Sequence, residues 1–233
     1  MNGTLFLVSS LLNYDVPEII PPAVTTAINA SDDFIVENEK SARHFLKIAG
    51  LKKSFQLLSF CVLNEHTDRK NISEFISPLI HGKNIVLLSE AGSPAIADPG
   101  AEIVRLAHEK NITVKPIGGM SSISLALMAS GLNGQQFVFH GYLPKEHSDR
   151  IKKIKECEQN ALKKNYTHIF IEAPHKNNHL LEDLLNECQQ ETLLCIASAL
   201  TSENEFVKTK NITAWKKSVP DLHKIPTVFL LGR

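Results

Sequence analysis

The stretch Asn84-Ile85-Val86-Leu87-Leu88 runs straight into Ser89-Glu90-Ala91-Gly92-Ser93-Pro94-Ala95-Ile96-Ala97-Asp98-Pro99-Gly100. The first part is a short block of branched apolar residues, the pattern of a strand buried on both faces. The small residues that follow cannot fill a core. They let the backbone approach a ligand closely and offer it amide and carbonyl groups. Pro99 is placed to open a helix. A strand emptying into such a loop at its C-terminal end is how open α/β sheets build ligand sites, so residues 89–100 are the first candidate site; the bland alternative is a long strand-to-helix connection.

Working outward, short apolar strands alternate with helix-length segments. Thr4 to Val8, Phe34 to Val36, Phe55 to Phe60, Asn84 to Leu88 and Thr113 to Ile117 read as strands. Pro21-Pro22 opens one intervening helix, Ser41 caps the next with Gly50 closing it, and Asp68 caps a third that ends at Gly82. After Gly118-Gly119 the pattern restarts. It gives helices over Ser121 to Ser130, Ser148 to Lys164 and Asn178 to Gln189, and strands at Gln136 to His140, His168 to Glu172, Leu193 to Ser198, Glu205 to Thr209 and Thr227 to Leu231. The expected architecture is α/β with parallel or mixed sheets, divided into domains 1–117 and 118–233.

Composition narrows the classes. A chain of 233 residues, 43% of them apolar, can bury one large core or two smaller ones. Lys+Arg and Asp+Glu stand at 25 each, which argues against a strongly basic face and permits only a local cationic patch. The apolar run from Leu5 to Leu12 is broken by Ser9 and Ser10 and has no basic leader, so neither a signal peptide nor a membrane span is expected, and a cytoplasmic location is. Cys61, Cys157, Cys188 and Cys195 show no Cys-x-x-Cys spacing; they are expected to be reduced, ordinary residues, with no metal site. No G-x-x-x-x-G-K-[ST] appears, and no G-x-G-x-x-G follows the first strand, so a phosphate cradle is not supported. Gly118-Gly119-Met120-Ser121-Ser122 follows a strand and opens a helix. Its amides and hydroxyls can meet a ligand, or Ser121 can simply cap the helix.

Taken in order, Ser89 to Gly100, Gly118 to Ser122, Ser130-Gly131-Leu132 and His140-Gly141-Tyr142-Leu143-Pro144 resemble the tetrapyrrole methylase superfamily of S-adenosylmethionine-dependent methyltransferases. Within it they resemble the small-subunit rRNA methyltransferases that modify a cytidine ribose 2′-oxygen. Those enzymes read approximately S-D-A-G-T-P-x-I-x-D-P-G, P-G-P-S-A, S-G-L and G-F-L-P. Further matches are Ile171-Glu172-Ala173-Pro174-His175-Lys176, where the family has Y-E-S-P-H-R, and Ala199-Leu200-Thr201 with Glu203, where it has E-L-T-K and a following Glu. The resemblance covers nearly the whole chain. It implies two α/β domains with S-adenosylmethionine in the cleft between them, a homodimer, and rRNA or a ribosomal subunit as partner. Carried over by position, the cofactor contacts are Ala91, Gly92, Ser93 and Ile96, then Ser121 and Ser122, with Glu172, Ala173 and Leu200 from the second domain. Substituting Val for Gly92 is expected to fill the ligand's space and leave the fold intact.

The departures fall on the cleft and its substrate side. A T-P-I-G-N-like loop is Ser9-Ser10-Leu11-Leu12-Asn13, an E-D-T-R stretch is Glu37-Asn38-Glu39-Lys40, and the aspartate of S-D-A-G is Glu90. The extra C-terminal segment that the rRNA enzymes commonly carry has no counterpart up to Gly232-Arg233, and a short form of the family is expected. Methyl transfer to a ribose hydroxyl gains from a nearby base. The candidates are Glu37, Glu90 and Glu172, with Glu39 and His175 also in reach of the motifs; each can instead be solvated, or hold a loop or turn. Lys40, Arg43 and Lys47 share a helix side and are either a solvated stripe or RNA contacts. Two other readings remain open: methylation of a tetrapyrrole or other small molecule, although the G-D-P-type loop of those enzymes is Gly92-Ser93-Pro94 here, and a cofactor-binding or ribosome-associated protein that has lost catalysis.

Overall fold

The computed structural model describes residues 2–64, 67, 70 and 72–233. The chain divides into two compact units, Met1–Ser121 and Ser122–Arg233. In the first, β1 (Thr4–Val8), β2 (Asp33–Val36), β3 (Ser59–Val62), β4 (Ile85–Leu88) and β5 (Thr113–Ile117) form a five-stranded sheet in the order β3-β2-β4-β1-β5. Every pairing is parallel. The helices α1 (Pro22–Asn29), α2 (Glu39–Ile48), α3 (Ile72–Phe75), α4 (Ser77–Ile80) and α5 (Ala101–Glu109) complete the unit. Because side chains alternate along a strand, β4 sends Val86 and Leu88 into one core with Val24, Ile28, Phe45 and Leu46, and Ile85 and Leu87 into another with Ile76, Leu79 and Ile103. All of β4 is buried, as its uninterrupted apolar run requires.

Local signals were overridden at three places. The expected strand from Phe55 is a 3-10 turn at Phe55–Leu57, and pairing to β2 begins only at Ser59, opposite Asp33. The cap of α2 is Asn38, not Ser41: its extended backbone lets Oδ1 accept from the Lys40 and Ser41 amides, which leaves the Ser41 hydroxyl for another partner. The segment before Gly82 is two short helices, α3 and α4, with Pro78 in the first turn of the latter; Asp68 lies outside the described residues.

In the second unit, β6 (Phe137–Tyr142), β7 (Thr167–Ile171), β8 (Leu193–Ser198), β9 (Phe206–Asn211) and β10 (Thr227–Gly232) form a sheet in the order β6-β7-β10-β8-β9. Only β6–β7 is parallel, so the sheet is mixed. One core joins Ile154 and Cys157 of α7 (His147–Lys164), Leu180, Leu181 and Leu184 of α8 (Asn177–Glu187), and Trp215 of α9 (Ile212–Lys216) to Phe170, Ile196 and Phe229 of the sheet. The short α9, unmarked in the sequence reading, is capped by Asn211 and anchored by Trp215 Nε1 donating to Leu194 O at 2.8 Å. The helix α6 (Ser122–Ser130) packs on β8, β9 and β10. Among the described residues no helix is long and apolar enough to cross a membrane.

The buried Glu158 of α7 is the polar pin of this unit. Its Oε1 accepts from the Gln189 amide and the Thr192 hydroxyl, each at 2.6 Å. Removing the acceptor leaves two donors without a partner, at about 1–3 kcal/mol for each group that stays dry. Glu158→Ala is therefore expected to destabilise by about 2–4 kcal/mol and Glu158→Gln by less, read as shifts in the urea midpoint.

Candidate functional site

Parallel strands end on the same side of a sheet, so the loops after β2, β4, β1 and β5 share one rim. The ladders align Val36 with Leu88, Leu88 with Val8, and Val8 with Ile117. Ser10, beyond β1, and Gly92, beyond β4, then exchange both backbone hydrogen bonds, at 2.8 and 3.3 Å. The Ser10 hydroxyl donates to Ser89 O at 2.6 Å and the Ser89 hydroxyl to Gly92 O at 2.7 Å. Ser93 Oγ donates to Met120 O at 3.1 Å, and because its one proton is thereby used, Ser9 Oγ is the donor in the 3.0 Å Ser9–Ser93 contact. Three loops are thus tied together by serine hydroxyls and backbone.

Backbone conformation explains the small residues. Gly92 has φ +76 and Gly100 φ +127, and Ala95 and Ala97 also sit at positive φ, where an L side chain is strained. A Cβ on Gly92 would lie 3.3 Å from Leu12 Cδ2, and one on Gly119 would lie 2.5 Å from Ser9 Cβ. This corrects the expectation for Gly92→Val: the substitution strains the backbone and presses on Leu12, so it disturbs the loop itself and is not a clean probe of ligand space. Gly118 has no neighbour within 4 Å of a built Cβ and is the better position for such a probe.

Two of the expected catalytic residues meet at this rim. Glu37, just past β2, accepts the Glu90 amide on Oε2 at 2.7 Å, and Glu90 Oε1 accepts from the Ser41 hydroxyl at 2.7 Å. Burial, with the charge of Glu90, holds the Glu37 carboxyl above the ordinary range, although the amide it accepts pulls the other way. Asp98, which the sequence reading passed over inside the Asp-Pro-Gly turn, belongs to the same cluster. Burial first, then the charges of Glu37 and Glu90, push its pKa up to about 7. Tyr14, its ring 4.7 Å from that of His44, is raised by burial and by Glu90. The signal for Asp98 was three-dimensional: carboxylates brought together by neighbouring strand ends.

The remaining candidates occupy the same rim or the second unit. Ala91 is exposed and Ile96 is 49% exposed; Ser121 ends the first unit and Ser122 starts α6. Glu172 and Ala173 follow β7, where Glu172 Oε1 accepts the Ala173 amide at 2.7 Å. Glu172 lines a cavity of about 350 Å³ with Lys145, Arg150, His175, Lys176 and His179. Arg150 is committed to Asp183 at 2.6 Å, leaving Lys145 and Lys176 as the free cations of that cavity among the described residues. Leu200 is buried between Ala199 (φ 49) and Thr201 (φ 66), and Thr201 Oγ1 is buried without a partner. Of the basic stripe, Arg43 is held by Glu39 at 2.6 Å and lies over Phe55 and Phe60, so it is no free RNA contact.

In the first unit the loop after β4 has backbone donors to offer a ligand. The amides of Glu90, Gly92 and Ile96 are spent on Glu37, Ser10 and Ser93, while those of Ala91 and Ser93 have no acceptor among the described residues. These two amides are the donors that this loop of the first unit leaves for a ligand.

A profile of the Tetrapyrrole (Corrin/Porphyrin) Methylases matches residues 16–214. A Haemophilus influenzae protein named ribosomal RNA small subunit methyltransferase I is 28% identical, over 99% of this chain and 79% of that one. A Synechocystis protein of the same name is 33% identical, over 87% and 69%. Among solved structures, the methyltransferase CobJ superposes with a TM-score of 0.64 at 15% identity, covering 100% of this chain and 95% of that one. Uroporphyrin-III-C-methyltransferase from Thermus thermophilus gives 0.56 at 16%, covering 99% and 94%. The chain belongs to the tetrapyrrole methylase family and is a methyltransferase.

A raised aspartate pKa has a signed consequence for stability. Between the unfolded value of 3.8 and about 7 the folded protein keeps a proton that the unfolded chain releases. The contribution of Asp98 is therefore full below 3.8 and lost as pH rises through about 7. Asp98→Asn should remove this loss. Because the site is half-exposed and screened, the variant should gain about 1–2 kcal/mol over the wild type on going from about pH 5 to about pH 8, measured by urea unfolding at each pH.

Proposed function

We propose that this methyltransferase uses S-adenosylmethionine to methylate a ribose 2′-oxygen of small-subunit rRNA. The observation that carries the substrate is the identity gradient: relatives named for rRNA methylation are 28–33% identical over most of the chain, whereas the cobalamin and uroporphyrin enzymes that share its fold are 12–16% identical. When bound, S-adenosylmethionine supplies a methyl on a positively charged sulfur, which is transferred by in-line displacement. Placement of the acceptor does much of the work.

To the cofactor we assign Ala91, Gly92, Ser93, Ile96, Ser121 and Ser122 from the first unit, and Glu172, Ala173 and Leu200 from the second. Support comes from the free loop amides, the positive-φ turns, and the dry hydroxyl beside Leu200. To the acceptor proton we assign the Glu37–Glu90–Asp98 cluster, with Asp98 as the group that takes it. A carboxylate titrating near 7 is matched to abstracting a proton at neutral pH. Glu37 and Glu90 then act by keeping that pKa high. Lys145 and Lys176 are assigned to RNA phosphate. The protein is read as a cytoplasmic homodimer; the exposed Phe137, Val138 and Tyr142 on the edge strand β6 support a second copy.

Calorimetry with S-adenosylmethionine should show binding that survives Asp98→Asn, while methyl transfer by that variant falls by about 10²–10⁴. The double variant Lys145→Glu/Lys176→Glu should raise the KM for the ribosomal subunit about tenfold or more and leave cofactor affinity unchanged. Ribose-methylation mapping of small-subunit rRNA from cells with and without the gene should differ at one or more sites. An unchanged map with intact cofactor binding would refute the rRNA assignment.

A further inference from the structure

The second unit gathers three metal-ligating side chains to which no role has been given above, and of which only His140 falls within a quoted motif. His140 comes from β6, His168 from β7 and Cys157 from α7, and one ligand atom of each lies within 4.8 Å of the others. His140 Nε2 is 2.8 Å from His168 Nδ1 and 3.5 Å from Cys157 Sγ. The two rings stack at 5.1 Å and 16°, and Phe170 backs His140 at 5.7 Å. His168 and Cys157 are buried, while His140 is partly open to solvent and provides the way in.

Local structure aims these groups. Val138 pairs with His168 across the parallel β6–β7 ladder, so His140, two residues on, lies on the same face as His168, the face that carries Phe170 toward α7 and α8. The ladder slips between Phe139 and Tyr142, and Gly141 at φ 64 makes the slip. The 2.8 Å contact turns His140 Nε2 and His168 Nδ1 toward each other, and since two neutral imidazoles can place only one proton between them, at least one of these nitrogens faces the cluster as a lone pair. His168 Nε2, on the other side of its ring, is buried with no partner and is the place for that ring's proton when Nδ1 is a ligand.

The geometry points to a binding site for a borderline-soft d10 cation, Zn²⁺, held by His140, His168 and Cys157 with a fourth position open on the His140 side. Two imidazoles and a thiolate select zinc over the hard, oxygen-seeking Mg²⁺ and Ca²⁺. With Zn–N of about 2.0 Å and Zn–S of about 2.3 Å, tetrahedral ligands stand about 3.5 Å apart for N and S and about 3.3 Å for N and N. The His140 Nε2–Cys157 Sγ distance already has this value, the two nitrogens need to open by about half an ångström from 2.8 Å, and the His168–Cys157 pair, within 4.8 Å, has to settle at the same N–S separation. Binding releases the Cys157 proton to solvent and forms a Zn–S bond with no change of oxidation state. The nearest charges on α7, Lys153 and Glu156, pair with each other at 3.0 Å, so no uncompensated cation opposes the metal. The ion would cross-link β6, β7 and α7, which no disulfide joins.

The test is zinc retention by the full, tag-free chain incubated with equimolar Zn²⁺ and desalted, read by elemental analysis, together with Co²⁺ substitution read by absorbance. One zinc per chain, a raised Tm, and a thiolate-to-Co²⁺ charge-transfer band are expected. Cys157→Ala and His140→Ala should lose all three, while Cys188→Ala, which removes another buried thiol, keeps them. No retention by the wild type, no thiolate band with Co²⁺, or retention indifferent to Cys157 overturns the site. The cobalt spectrum of the wild type decides the question even if a variant fails to fold.

Discussion

The two-way backbone bridge between Ser10 and Gly92 is the constraint on which the rest of the first unit's rim depends. It exists because β1 and β4 are parallel neighbours whose last residues, Val8 and Leu88, stand side by side, so the chains leaving them emerge at the same height. The bridge fixes the path of residues 89–100, and that path demands φ values which glycine accepts and other residues resist. Four serines lock it, since each of Ser9, Ser10, Ser89 and Ser93 has a hydrogen-bond partner within the three loops. The run of small residues is thus as much a consequence of loop-on-loop packing as of any need to approach a ligand.

The same alignment gathers negative charge. Val36 pairs with Leu88, which sets Glu37 beside the loop that begins at Ser89 and lets it bind the Glu90 amide. Three carboxylates then share one half-buried rim, and one of them must hold its proton more tightly than a solvated aspartate does. Positions where this chain departs from the family pattern take on physical roles here. Serines at 9 and 10 supply hydroxyls that tie the loops. A glutamate at 90 accepts from Ser41 on α2. The changed residues take partners elsewhere on the rim, Ser9 with Ser93, Ser10 with Ser89 and Gly92, and Glu90 with Ser41, which is why they were hard to interpret singly.

The two units use different means to reach a stable sheet. In the first, every strand is parallel and β4 is buried on both faces, so its strands announce themselves as apolar runs. In the second, β7 carries Thr167 and His168 within a fully buried stretch, and α7 carries the buried Glu158. Polar residues inside that core are held by specific partners: Glu158 by Gln189 and Thr192, and Trp215 by Leu194 O. Such polar pins specify one packing at the cost of burying polar groups.

Most strands and the longer helices were legible in the sequence because periodicity and turn chemistry are local: β4 from its apolar run, α1 from Pro21-Pro22, the end of α2 from Gly50. The family was legible because its motifs are strand-end loops of fixed length, where small residues and backbone turns leave a readable trace. The strand expected from Phe55 failed because pairing to β2, and not propensity, sets where β3 begins. The cap expected at Ser41 failed because Asn38 had the backbone geometry to reach two amides. Sequence by itself therefore determined the class of fold, the loops that form the rim and most of the residues on it. Only the tertiary structure decided which of them touch: the proton-holding Asp98, the serine knot and the His140–Cys157–His168 cluster join residues up to tens of positions apart. Strand order and register, which no local pattern encodes, determine which side chains share a neighbourhood and so which charges, hydroxyls and ligands act together.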